Sequence, residues 1–329
     1  MKPEPKPVDE SLPLLRPDGV NPARARRAVR NLYARPSLRA GDLMAPLLVV
    51  PVGHPGLDLL PGAVALADVP ATVTTWPELG IAGIKVFVHG HDRDDAASGA
   101  VSPDNLMVRS IQSVRSAGTG MALTTEVCGC SWTSSGECVL RDEEGAIDLG
   151  RTHTLMQRMA VQHAEAGADI VSPTAMLSGS VHAMRSALNN RGLRDVGVCP
   201  NLAIHTMLYG PFKTIMETNP AAGHRRGLQL EPGRAAQDTL LQARAWIAEG
   251  ADSLTLQPVL TASDVLVELR RNLAEPLVAY STSGEWKALE ALGIDGMVEY
   301  LAMLKRAGAD SVLTFAAEQV ARHLRSSHG

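Results

Sequence analysis

At 329 residues the chain is long enough for one large α/β barrel or two medium domains, and its formal net charge of −4 supplies no basic field for a phosphate backbone. Hydrophobic residues make up 45% and charged residues 20%, the balance of a soluble globular protein, and no apolar run reaches bilayer length. No nucleic-acid or membrane partner is expected. The N-terminus lacks the apolar stretch of a secretory signal, so a cytoplasmic location is expected.

Residues 1–35 are rich in Pro and Arg, carry no clear apolar period, and read as an N-terminal arm. Such an arm either frays or wraps a neighbouring subunit. From Leu43 onward, short apolar or β-branched runs alternate with segments of helical period. The expected strands are 43–50, 83–88, 121–127, 169–173, 196–204, 253–257, 277–281 and 311–315. Eight parallel strands close a barrel, so 36–329 is expected to be a single (β/α)₈ TIM barrel with no second domain. Three helices should end on Gly167, Gly250 and Gly308, in HAEAGADIV, WIAEGADSL and LKRAGADSV, because a helix C-cap needs positive φ. Those junctions fix the C-terminal strand ends, where barrel sites are built: His89, Cys128, Thr174 and Ala175, Ala203 to His205, Gln257 and Pro258, Ser281 to Ser283, and Phe315.

Cys128, Cys130 and Cys138 form a C-x-C-x₇-C pattern that begins where the third expected strand ends. Three thiolates can take three corners of a zinc tetrahedron and leave the fourth open, the form of a catalytic site. The alternatives are three reduced cysteines without metal, or a structural site closed by a His or by Cys199. Three thiolates also blunt the power of zinc to acidify water and favour binding and orienting a substrate. His89 and His91, with Asp92, offer a weaker metal-like pair, since an H-x-H on a polar loop is more often solvated or hydrogen-bonded.

Several motifs in order resemble the porphobilinogen synthase (5-aminolevulinate dehydratase) family: EVCGCSWTSSGEC, AGADIVSPTAML, YGPFK, EGADSLTLQP, YSTSGEW and RAGADSVLTFAAE, covering the chain from about Asn21. The resemblance implies condensation of two 5-aminolevulinate molecules into a pyrrole through two lysines that form Schiff bases. Counting from Tyr209-Gly210-Pro211-Phe212, the first of those positions is Ala203, and the second is Gln257 before Pro258. No lysine occurs between Lys85 and Lys213 or between Lys213 and Lys287, so the fifth and sixth expected strands hold none in any register. A Gln amide is not a nucleophile. The run Thr174 to Ser180 lacks two aspartates and an arginine of the family, Phe315 replaces a carboxylate-binding Tyr, and His224 replaces an Asp.

What the resemblance keeps is the zinc half of the site: Cys128, Cys130 and Cys138 as ligands of Zn²⁺, Glu126 beside them, Lys213 and Arg225 as the carboxylate grip, and Gln229 and Ser283 as further substrate-binding positions. The expected function is a divergent zinc enzyme of lyase or condensing type acting on a small amino or keto acid without a lysine Schiff base. Glu126 or His205 would move protons, His205 because it lies two residues beyond Ala203 on the same strand face; the alternative for His205 is a histidine hydrogen-bonded in the loop. A noncatalytic ligand-binding or assembly paralogue is one alternative, and an authentic 5-aminolevulinate dehydratase is another. Lys85 shares a side of its strand with Phe87, and could form an imine if that side faces the barrel interior; otherwise it sits at the bottom rim, paired with an acid. By resemblance a homo-oligomer with arm exchange is expected.

Overall fold

The computed structural model describes residues 26–33, 38–90, 92–219 and 225–326. Ten strands are present among them: β1 (Leu43–Val49), β2 (Ala63–Val64), β3 (Gly83–Val88), β4 (Ala122–Val127), β5 (Ile170–Pro173), β6 (Gly197–Val198), β7 (Asn201–Ala203), β8 (Leu254–Gln257), β9 (Leu277–Ser281) and β10 (Ser311–Thr314). The hydrogen-bonded order is β6-β5-β4-β3-β1-β10-β9-β8-β7, all parallel, with β2 added beside β1.

The two ends of that path are one stave of the barrel. β6 and β7 are successive pieces of the expected strand 196–204, interrupted at Cys199 and Pro200. Pro200 has no N–H to give to a ladder. Its flanks still bond outward on both sides, Cys199 N to Val171 O at 3.0 Å and Thr255 N to Pro200 O at 2.9 Å. With β5 on the first piece and β8 on the second, eight staves close the TIM barrel.

β1 and β3 are buried at every position, as strands covered by helices outside and by packed side chains inside must be. The three Gly-capped helices are Leu149–Ala166, Ala235–Glu249 and Gly293–Ala307, with φ of 115° at Gly167, 105° at Gly250 and 120° at Gly308. The aspartate two residues after each glycine has a repeated task. Asp169, Asp252 and Asp310 accept the backbone N–H of Leu123, Val198 and Leu277 at 2.7, 2.7 and 2.8 Å, and each pairs with an arginine: Arg115, Arg185 and Arg270. A Cβ on Gly308 would meet Arg270 carbons at 2.4 Å, so the glycine serves both the left-handed turn and the close approach.

Residues from Leu38 onward form one compact unit, and the helix Arg27–Tyr33 belongs to a separate N-terminal unit. Most of the expected arm lies outside the described residues, as do His91 and His224. No helix among the described residues is long and apolar enough to cross a membrane.

Candidate active site

Parallel strands aim their C-terminal ends at one mouth, and the pocket there is lined by Glu126, Cys130, Cys138, Asn201, Ala203, Lys213, Gln229, Gln257, Tyr280 and Ser283, with Phe87 and Phe212 among its apolar walls. Glu126 and Cys128 are two residues apart at the end of β4 and so share a side of the strand. The chain then turns through a short 3₁₀ segment, Gly129–Ser131, and returns at Cys138. A Cβ on Gly129 would lie 3.0 Å from the Cys138 carbonyl oxygen, so glycine lets the two limbs of the loop close up. The Thr133 hydroxyl donates to Glu137 O at 2.8 Å, and Arg141 grips the Glu137 carboxylate with Nε and Nη2 at 2.7 and 2.6 Å.

The ligand atoms of Cys128, Cys130 and Cys138 all lie within 4.8 Å of one another, and all three residues are buried. Thiolates at roughly 2.3 Å from a tetrahedral zinc stand about 3.8 Å apart, a separation that falls within this bound. Hydrogen bonds with Cys130 and Cys138, together with burial, push the Cys128 thiol well above the usual cysteine value. Three thiolates side by side therefore need a cation, and soft sulfur donors suit zinc. Among the described residues no fourth His, Cys or carboxylate joins the group. Cys199 is not a fourth ligand: its sulfur contacts Thr255 Oγ1 at 3.3 Å and it lines a cavity at the opposite, N-terminal end of the barrel.

Of the other expected metal-like pair only His89 lies within the described residues, and it gathers with His54 and Glu217, ligand atoms within 4.8 Å of one another. His89 Nε2 stands 3.3 Å from a Glu217 carboxylate oxygen, with the His54 ring 4.8 Å away. Arg93 sits 4.0 Å from that same oxygen and donates to the carbonyls of Glu217 and Met216 at 2.8 and 2.9 Å. Burial first, then the Arg93 charge, lower the His89 pKa. These contacts tie the β3 loop to the segment after the YGPF turn, with a guanidinium beside the group.

Lys213, on the short helix Phe212–Ile215, places its ammonium 4.4 Å from the centre of the Tyr209 ring at the pocket wall. Arg225 begins the 3₁₀ segment Arg225–Leu228, and its side chain lies outside the described residues. Ser283 lines the pocket, but its hydroxyl accepts from Phe212 N at 3.0 Å and contacts Tyr209 O at 3.3 Å, fastening the turn that carries Lys213. Gly284 completes that contact, since a Cβ there would meet Leu208 O at 2.4 Å and Gly210 O at 2.6 Å.

His205 is a correction. Its Nδ1 lies 3.0 Å from Gln229 Oε1, yet it lines a separate cleft with Pro232 and Val265 rather than the pocket. Strand alternation does not reach His205, because β7 ends at Ala203; Ile204 pairs with Leu230 and His205 N donates to Leu230 O, so the chain is already leaving the barrel wall.

Ala203 and Gln257 are register partners at the pocket. Below them Lys85 is 2% exposed, inside the barrel, and with Cys199 it lines the cavity at the N-terminal end, as the bottom-rim alternative expects; among the described residues it makes no ion pair with an acid, so only that alternative's acid partner is corrected. Its Nζ donates to Ser172 Oγ at 2.8 Å and Asn201 Oδ1 at 3.1 Å, and lies 5.7 and 6.0 Å from the Phe87 and Tyr280 ring centres. Burial lowers its pKa, against the opposing charges of Cys199 and Glu126. Asn201, Tyr280 and Phe87 were not singled out as site residues from the sequence. Asn201 stands two residues before Ala203, and strand parity was the signal available.

The delta-aminolevulinic acid dehydratase family model matches residues 20–323. The chain belongs to that family. The enzyme of this name from Halalkalibacterium halodurans is 32% identical over 310 residues, covering 90% of this chain and 94% of its own, and the one from Methanothermobacter thermautotrophicus is 30% identical over 299 residues, covering 87% and 91%. Among solved structures, delta-aminolevulinic acid dehydratase from Toxoplasma gondii, in complex with its reaction product porphobilinogen, superposes with a TM-score of 0.86 at 29% identity, over 93% of this chain and 92% of that one. The family barrel is thus present nearly end to end, while Ala203 and Gln257 stand where the resemblance places lysines.

Proposed function

We propose that this family member is a zinc-dependent lyase of condensing type that acts on 5-aminolevulinate or a closely similar small amino or keto acid. The observation that carries this reading is that two cysteines of the buried three-sulfur cluster open onto the same pocket as Lys213, Glu126 and Gln257. Zinc held by Cys128, Cys130 and Cys138 would supply a Lewis acid with an open position for a substrate amine, hydroxyl or carbonyl. Lys213, with Arg225, would anchor the carboxylate as a charged donor. Glu126, largely buried and within 3.5 Å of the Thr174 hydroxyl, would take or return a proton beside the cysteine loop. Ser283 would act through the Tyr209–Phe212 turn that it fastens. Gln229, which pairs with His205 and lines the wall, would set the pocket's far edge.

Authentic 5-aminolevulinate dehydratase activity is the second reading. It is favoured by relatives of that name across nearly the whole chain and by an amine, Lys85, inside the barrel. A homo-oligomer in which residues 1–35 form an exchanging arm fits their Pro- and Arg-rich composition. The test is incubation of zinc-loaded protein with 5-aminolevulinate and with related amino and keto acids, following substrate loss and pyrrole formation. Zinc-dependent consumption of one of these acids supports the reading. A zinc-loaded protein that binds none of them overturns it.

A further inference from the structure

Gln257 has no nucleophilic nitrogen, but the direction in which its amide points is decided from below. A protonated lysine has three donors and no acceptor. Lys85 therefore requires oxygens, and the two it touches are Ser172 Oγ and Asn201 Oδ1. Ser172 has one proton and two acceptors in reach, the Cys199 carbonyl at 2.7 Å and Asn201 Oδ1 at 3.0 Å; the shorter bond goes to Cys199, which leaves Ser172 Oγ and Asn201 Oδ1 both free to accept from Lys85. With Oδ1 held by Lys85, the Asn201 amide must turn its NH₂ the other way, and Nδ2 donates to Gln257 Oε1 at 3.1 Å. The Gln257 oxygen is thereby occupied, and what remains to face the pocket is its Nε2 with two N–H groups.

We infer that Lys85 and Asn201 act as positioning residues that fix Gln257 as a hydrogen-bond donor to the substrate ketone. On the reading of the site proposed above, the position that resembles an imine-forming lysine has become a donor to a carbonyl oxygen. Each link points its donor toward the pocket, so the chain is polarised in the sense that strengthens the last N–H. The relay is sheltered: Lys85 is 2% and Asn201 1% exposed, and Phe87 and Tyr280 roof the ammonium. It also gives a task to a buried lysine that has no acid partner among the described residues. Gln257 is the member that would touch substrate.

The test uses full-length zinc-loaded protein and levulinate, a keto acid without the amine, labelled with ¹³C at the ketone. A hydrogen-bonded ketone moves its carbon resonance downfield, whereas an imine moves it far upfield, and the Gln257→Lys variant provides the imine control with borohydride trapping. The relay predicts a downfield shift in the parent protein and loss of that shift in Gln257→Ala, with affinity falling about 5- to 10-fold, as expected for one hydrogen bond. It predicts a reduced downfield shift in Lys85→Met, together with displacement of the Gln257 side-chain amide resonances in the ligand-free protein. Borohydride reduction of levulinate onto Lys85 in the parent protein would overturn the inference. So would a Lys85→Met variant whose Gln257 resonances and ketone shift match the parent. If levulinate fails to bind while the ligand-free Gln257 resonances respond to Lys85→Met, the relay stands and the substrate reading falls.

Discussion

Replacing Glu285 by alanine should destabilise the barrel more than most single changes, because this carboxylate holds the loop after β8 to the end of β9. Glu285 is fully buried. It accepts the backbone N–H of Val259 at 2.9 Å and those of Leu260 and Thr282, and the Tyr300 hydroxyl lies 3.4 Å from it. Burial raises its pKa, while the three N–H groups pull it back down. Truncation leaves three buried donors without an acceptor, each costing about 1–3 kcal/mol, so a total of about 3–6 kcal/mol is expected after water refills part of the gap. Glutamine keeps one acceptor oxygen for Val259 and Leu260 but presents N–H₂ to the Thr282 N–H, and should cost about 1–3 kcal/mol. Urea titration of the parent and both variants reads these values as midpoint shifts. Because Val259 follows Gln257 and Pro258, Glu285→Ala should also weaken levulinate binding. A Glu285→Ala variant within about 1 kcal/mol of the parent would refute the reasoning.

His163, packed from its helix onto β4 with Nδ1 3.1 Å from the Thr125 hydroxyl, is fully buried, and burial depresses its pKa from 6.5 to about 3. The folded state resists a proton that the unfolded chain accepts below 6.5, so this histidine's contribution to stability is intact above 6.5 and lost as pH falls toward 3, at about 1.4 kcal/mol per pH unit. The stability difference between the parent and His163→Leu should therefore be flat above pH 6.5 and shift in favour of the variant below it; parallel curves from 6.5 to 4 would contradict this. Arg141→Ala should lower zinc affinity about 10- to 100-fold in a chelator competition, since the Glu137 clamp sets the returning limb of the cysteine loop. Its effect on urea stability should stay within about 1–2 kcal/mol, because Arg141 is 39% exposed; unchanged zinc affinity would show that the clamp does not shape the site.

The barrel was legible because its signals are local. Strand parity, run length and the Gly-Ala-Asp junctions are written within a dozen residues, and the structure returns the expected strands with their ends shifted by a residue or two. The one split strand was also marked in the sequence, by Pro200. The cysteine cluster was legible because its three cysteines sit on one loop. The lysine relay was not, since Lys85 is 87 residues from Ser172 and 116 from Asn201 and only barrel closure brings them together. Parity did pair Lys85 with Phe87, but it cannot say which face of a strand is the inside. For His205 parity was carried two residues too far, past the last barrel pairing at Ala203.

The most direct test of the proposed chemistry is a parallel measurement on zinc-loaded protein of 5-aminolevulinate consumption and borohydride-trapped adducts on the intact chain. The account predicts zinc-dependent turnover, lost in Cys130→Ser and Lys213→Met, with no adduct on any lysine. Turnover accompanied by an adduct on Lys85 or Lys213 would contradict it and establish an imine mechanism on a relocated lysine.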